Sequence, residues 1–438
     1  MAATDAALTV PGGSVIRFRG RICAWAISGS GAPLTSGHQA FFWPPPIAGA
    51  GRVLVKNPVK KYLFTPGPAP VPPEVLLEMA RPMVHHRTPE FSAVLDQARE
   101  RIRSLFGTRQ EVILLAASGT GAMEAAVTNL LAPGEHAVYI NGGKFGERWG
   151  KLLAAYGMTG HEIRVEWGRA ARPEQVEEAL RANPNARAVL MQASETSTCA
   201  VHPVAEVAAI TRARDAMLIV DGITSVGVFE QKMDEWGVDA LLTGSQKALM
   251  LPPGLAMVAL SERALERARG TRTPRYYFDL MRELKAQRDE HTTAWTAAVS
   301  LVLGLNKSLE MIHAEGLPQV FARHRLMAEA TRAAASALGL NLLAPDNPAP
   351  GVTGILTPAG LDGSKLVRYM RDELGVSVQG GQDQMKGKLV RIGHMGYLSP
   401  FDMLIAVGAL EMALAHLGHR FETGAGVAAV ARRIAARA

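Results

Sequence analysis

Between residues 111 and 260 short apolar runs alternate with amphipathic stretches, and the alternation is regular. Runs at 112–116, 137–140, 161–165, 188–192, 217–220, 238–242 and Ala256–Leu260 have glycine or polar residues at their ends. Such short, bounded runs suit buried strands better than helices. The stretches between them read as helices. Strands joined by helical crossovers predict a mainly parallel sheet with helices on both faces, an α/β fold. Upstream, residues 62–70 form a proline-stiffened extended segment, and Pro72-Pro73-Glu74 opens a helix, because proline suits a first helical turn. A further helix is predicted over 92–106, with Val94, Leu95, Ala98, Ile102 and Leu105 on one face. Beyond residue 315 the pattern becomes a helix-rich α+β segment with strands at Val352–Leu356 and 389–392.

These patterns divide the chain into five parts. Residues 1–55 show neither helical nor strand periodicity and read as a disordered extension. Residues 56–75 are an N-terminal segment expected to pack with a small domain. Residues 76–315 are the large domain, 316–418 the small C-terminal domain, and 419–438 an Ala/Arg-rich basic tail. With 438 residues, 48% of them hydrophobic, the chain can bury a large core. No run of 18 or more apolar residues occurs, so no transmembrane helix and no membrane partner is expected. Cys23 and Cys199 are the only cysteines, which points to a reducing, cytoplasmic setting without a disulfide framework or a cysteine-based metal site. The formal charge of +7 is carried by the ends: residues 1–61 hold +6 and residues 420–438 hold +3, leaving −2 between them. A near-neutral body is a poor partner for nucleic acid.

Candidate chemistry concentrates at the ends of strands. The run at 217–220 leads into Asp221, and the run at 238–242 leads into Thr243-Gly244-Ser245-Gln246-Lys247. In open α/β sheets the carboxyl ends of the strands form the ligand crevice, so an acid and an amine projected there invite a common partner. Pyridoxal phosphate fits: the amine of Lys247 would form the Schiff base with its aldehyde, and Asp221 would keep its pyridine nitrogen protonated. Either residue alone reads more simply as a turn aspartate or a surface lysine. Ser118-Gly119-Thr120, between a strand and a helix, offers a phosphate site at a helix N-terminus. It lacks the lysine of a P-loop and the glycine spacing of a dinucleotide fingerprint.

Ser118-Gly119-Thr120, Glu195-Thr196-Ser197-Thr198, Asp221-Gly222-Ile223-Thr224-Ser225, Gly244-Ser245-Gln246-Lys247 and Arg391-Ile392-Gly393-His394-Met395-Gly396 occur in this order. In this ordered set the chain resembles the class V pyridoxal-phosphate aminotransferases, in the alanine-glyoxylate and serine-glyoxylate (serine-pyruvate) branch, over residues 61 to 418. The resemblance implies a fold type I transferase that moves an amino group from alanine or serine to a 2-oxo acid such as glyoxylate or pyruvate. It implies Lys247 as Schiff-base lysine and proton carrier, Asp221 on the pyridine nitrogen, and Ile223 against one ring face. Phe145 stands where the family has an aromatic, often tryptophan, on the other face. Thr196 would bond near the ring hydroxyl, Ser118, Gly119, Thr120 and Gln246 would hold the phosphate, and Arg391 would pair with the substrate carboxylate. Thr296, and Thr293 where some members have tyrosine, would reach the phosphate of a neighbouring subunit, which implies a homodimer with shared sites. His86-Arg87 matches a pair that phosphoserine enzymes place on the substrate phosphate. Arg87 is therefore a second candidate for substrate binding, although glyoxylate enzymes carry the pair too and a structural or dimer-contact role stays open. No metal site is implied.

Rival readings remain at this stage. A phosphoserine or aspartate aminotransferase of the same fold would use Arg87 on a second anionic group. A cysteine desulfurase needs a nucleophilic cysteine on a C-terminal loop, where neither Cys23 nor Cys199 lies, and Cys199 reads as a small buried residue. A non-catalytic binding subunit that kept the fold, and a nucleotide-dependent oxidoreductase, complete the set.

Overall fold

A computed structural model describes residues 60–437, together with a short antiparallel pair, Ala6–Thr9 with Val15–Phe18. The remainder of the 1–55 segment, expected to be disordered, lies outside the described residues. The seven-stranded central sheet is built from β1 (Val112–Leu115), β2 (His136–Asn141), β3 (Thr159–Arg164), β4 (Ala186–Gln192), β5 (Met217–Asp221), β6 (Ala240–Gly244) and β7 (Ala256–Leu260), in the spatial order β1-β7-β6-β5-β4-β2-β3. Pairs β5/β6, β5/β4, β2/β4 and β2/β3 are parallel, while β7 runs antiparallel to both β6 and β1. The apolar runs mark these strands because β1, β5, β6 and β7 are buried along their whole length, which rewards continuous rather than alternating apolar sequence.

Helices cover both faces. Helix Pro89–Phe106 starts at Thr88, whose side chain accepts from Phe91 N, and buries Phe91, Leu95, Ala98, Ile102 and Leu105. That 4-3-4-3 spacing is one helical stripe, and each fully buried large side chain in it contributes about 1.5–3 kcal/mol. Phe91 and Leu95 join the core on one sheet face, whereas Met123 and Trp149 join the core on the other. A third core lies under the three-stranded antiparallel sheet of Val352–Leu356, Leu389–Gly393 and Gln379–Gly380. Tyr62–Leu63 adds a parallel pairing to Val376–Ser377, and Phe64 enters this third core.

The stretch read as a basic tail contains helix Ala425–Ala435, which buries Ala429 and places Val430 in the third core, with Val427 and Ile434 packed against it. Gly426, Ala429 and Val430 form its inward stripe and Arg432 is exposed, a periodicity that the alanine-rich composition hides. No helix among the described residues is long and apolar enough to cross a membrane.

Candidate active site

Five strands that run the same way deliver residues to one pocket at their carboxyl ends, the place expected for an open α/β sheet. β1 leads to Ser118, Gly119 and Thr120, β2 to Phe145, β4 to Thr196, and β5 to Asp221 and Ile223. β6 leads to Gln246 and Lys247. All of these line the pocket, together with Arg148, Ser194 and Thr224.

Lys247 is 9% exposed, and its Nζ donates to the Pro66 carbonyl at 2.6 Å. Burial lowers its pKa from the ordinary lysine value to about 8, against a raising influence from Asp221. Asp221 is 5% exposed and accepts a bond from Ile223 N at 2.8 Å. Burial raises its pKa to about 7, helped by the charge of Glu195 and opposed by the Ile223 amide and by Arg148 and Lys247. Thr196 and Thr224 share a hydroxyl contact of 2.9 Å, and Thr224 donates to Ser194 O.

Ser118 caps helix Gly119–Leu130, which has no acidic residue in its first turn to neutralise the partial positive charge there. Gly119 is bare for a reason: a Cβ there would come within 2.3 Å of Ile223 Cδ1. Gln246 Oε1 is buried with no bonding partner. The buried side of the pocket therefore holds a carboxylate short of donors, an amine bonded only to a main-chain carbonyl, an orphaned acceptor, and apolar walls in Ile223 and Phe145. This set fits pyridoxal phosphate: an aldehyde for the amine, a pyridinium N–H for the carboxylate, a flat ring between the walls and a phosphate for the helix end.

Arg391, in strand Leu389–Gly393, is 4% exposed. Its Nε donates to Gly380 O and its Nη1 to Thr196 O, both at 3.0 Å, and no described carboxylate pairs with it. Burial lowers its pKa. A buried guanidinium without a counter-ion is costly unless an anion arrives.

Arg391 does not itself line the pocket but bonds the carbonyl of Thr196, which does, and two further groups of candidates lie elsewhere. Arg87 is exposed in the turn before helix Pro89–Phe106, where the neighbouring His86 carbonyl accepts from Thr292 Oγ1. Nothing in one chain directs it toward Lys247. Thr293 and Thr296 line a separate depression with Tyr277 and Trp295, and Thr293 Oγ1 donates to Trp295 O at 2.6 Å. Cys199 is buried, with its thiol pushed up to about 12 by burial and its Sγ 3.7 Å from Thr196 O, which suits an inert residue.

Two residues were missed in the sequence. Arg148 follows Phe145 by three residues, one helical turn, and that spacing was the available signal. Glu195 is fully buried and accepts from Phe145 N, Gly146 N, Ser197 N and Ser197 Oγ. It thereby ties the turn carrying Phe145 to the hairpin Ser194–Glu195/Ala200–Val201 carrying Thr196. Burial raises its pKa while these four donors oppose the shift.

A family model described as Aminotransferase class-V matches residues 61–397. A protein of Synechococcus sp. (strain PCC 6716) named soluble hydrogenase, small subunit, is 41% identical over 85% of this chain and 98% of its own. The L-aspartate–glyoxylate aminotransferase of Paracoccus denitrificans is 37% identical over 85% of this chain and 95% of its own. The solved structure of an alanine–glyoxylate aminotransferase from Nostoc sp. matches at a TM-score of 0.79 with 30% identity, covering 82% of this chain and 97% of that one. The chain belongs to the class V aminotransferases, and it is a fold type I transaminase that depends on pyridoxal phosphate.

Proposed function

We propose that this transaminase moves the amino group of a small L-amino acid, alanine or serine, to glyoxylate or pyruvate. The observation that carries the reading is Arg391, a buried cation beside Thr196 that pairs with no carboxylate among the described residues. Its planar guanidinium suits an α-carboxylate, and one such group is what a donor with a neutral side chain requires. The glyoxylate acceptor appears in the names of both the Paracoccus relative and the Nostoc structure.

Bound pyridoxal phosphate supplies an electrophilic aldehyde and an electron-withdrawing ring. The chain supplies the rest. Lys247, lowered to about 8, has a substantial neutral fraction just above neutral pH, so its Nζ can take the donor's α-proton and return it on the other side of the reaction. Asp221, poor in donors, holds the ring nitrogen's proton, and Phe145 and Ile223 keep water off the two ring faces. Arg391 would hold the donor's carboxylate and so limit the orientations the donor can take.

Two further parts of the reading concern setting and assembly. The enzyme works as a homodimer, supported by exposed Leu77 and Met83, 72% and 71% accessible, and by Thr296, which is exposed rather than turned into its own pocket. It works in the cytoplasm, supported by its two cysteines. Sedimentation at micromolar concentration tests the first; a monomer with full activity would overturn it.

A second reading takes aspartate as donor, as in the name of the Paracoccus relative. It is favoured by Arg148, a second pocket cation without an ion-pair partner among the described residues. The deciding experiment measures turnover of alanine, serine, aspartate and phosphoserine against glyoxylate, pyruvate and 2-oxoglutarate. The first reading expects alanine or serine with glyoxylate or pyruvate to lead, and dominance of an acidic donor would reject it.

A further inference from the structure

Arg148 is the pocket cation that the reaction above leaves unused. It lies in the first turn of helix Gly146–Ala155, is half-buried, and lines the pocket that holds Lys247 and Asp221. Its Nη1 donates to Thr120 Oγ1 at 3.0 Å, and its Cζ stands 5.0 Å from the centre of the Phe145 ring. No described carboxylate forms an ion pair with it. Its neighbour Glu147 is already engaged by Lys144 at 3.1 Å and Lys151 at 2.6 Å.

Among the residues that line the pocket the cations Lys247 and Arg148 outnumber the one carboxylate, Asp221, and the helix beginning at Gly119 adds its own positive end. One substrate carboxylate on Arg391 does not use up that surplus. A ligand carrying more than one negative charge does, and the bond to Thr120 fixes where that charge belongs: at the helix end.

We propose that Arg148 is the counter-ion of the cofactor's phosphate, holding the Thr120 hydroxyl in place and neutralising part of the phosphate charge. From the same position its guanidinium backs the Phe145 ring, where a cation over an aromatic face adds attraction to a ring smaller than an indole. The proposal rests on the reading that the Gly119 end of the helix receives the phosphate. The rival occupant of Arg148, the side-chain carboxylate of an acidic donor, gives a different result in the test.

The test compares two ligands that differ only in the phosphate. Dissociation constants of pyridoxal phosphate and of pyridoxal are measured by absorbance on the full-length apoenzyme, for the wild type, Arg148→Gln, Arg148→Met and Arg148→Lys. The expected result is an affinity for pyridoxal phosphate about tenfold lower in both neutral variants, the size of one charge-assisted contact. Affinity for pyridoxal should change by less than about twofold, and Arg148→Lys should recover most of the loss. Two neutral variants are used so that one failing to fold does not remove the comparison.

Equal losses for the two ligands would make Arg148 a support for the Phe145 ring alone and overturn the proposal. So would an unchanged preference for the phosphorylated ligand combined with a selective rise in KM for aspartate over alanine, which would hand Arg148 to the donor. A wild type that binds pyridoxal phosphate no better than pyridoxal would reject the helix-end phosphate site itself, a failure distinct from that of Arg148.

Discussion

Asp221 and Asp239 are two buried aspartates on neighbouring parallel strands, 5% and 3% exposed, and they have opposite surroundings. Asp239, at the amino end of β6, accepts from Leu218 N, Ser261 Oγ and Arg263, whose Nη2 is 2.6 Å away. Asp221, at the carboxyl end of β5, accepts from one backbone amide and has no ion-pair partner among the described residues. A buried carboxylate saturated by its own chain is structural. One left short is held for a ligand, because leaving it so costs stability that only binding returns.

The sharpest way to break this contrast is Lys247→Ala, the amine that shares the Asp221 pocket. Transamination should fall by at least about 10⁴-fold, and the yellow colour of the lysine-linked cofactor should vanish. Unchanged turnover would remove the basis for the site. Arg391→Gln comes next: kcat/KM for the amino donor should drop about 100-fold, mostly through KM, as expected when a charged carboxylate loses its partner.

The two aspartates then separate by what each substitution spares. Asp239→Asn should lower unfolding free energy by about 2 kcal/mol in a urea titration, since Arg263 loses its buried charged partner and keeps only the exposed Asp215, while donor KM stays unchanged. Asp221→Asn should do the reverse, impairing turnover while making the cofactor-free protein more stable above neutral pH. The sign follows from the raised pKa. Below the ordinary carboxylate range both folded and unfolded chains hold the proton and no penalty exists. As pH rises toward about 7 the unfolded chain ionises first, so stability is lost, and the loss is complete above about 7. The gain for Asp221→Asn at pH 8 should be on the order of 1–3 kcal/mol, read as a flatter melting-temperature profile between pH 5 and 8 for the apoenzyme. An equal gain in Asp239→Asn would erase the distinction.

The same contrast explains what the sequence made legible. Strands such as β5 and β6 are buried throughout, so their apolar runs and glycine punctuation set them apart, and Asp221 and Lys247 follow as the polar residues that close those runs. Helix Ala425–Ala435 was hidden because alanine and glycine fill its buried face, and residues so small leave a weak hydrophobic period. The hairpin that carries Thr196 has strands of two residues, too short for any period, and includes Cys199 at φ 60. Glu195 and Arg148 act through hydrogen bonds to partners about 50 and 28 residues away, contacts that no local pattern encodes.

The Pro66 carbonyl that receives Lys247 belongs to the extended strap preceding the first long helix, and a Cβ on the adjacent Gly67 would come within 2.1 Å of the lysine nitrogen. The strap is thus a parking place for the reactive amine and one wall of its chamber. A cut anywhere between Leu63 and Pro70 would leave the sheet and its strands untouched yet unmoor the nitrogen on which the turnover depends, so limited proteolysis there should silence the enzyme long before it unfolds it.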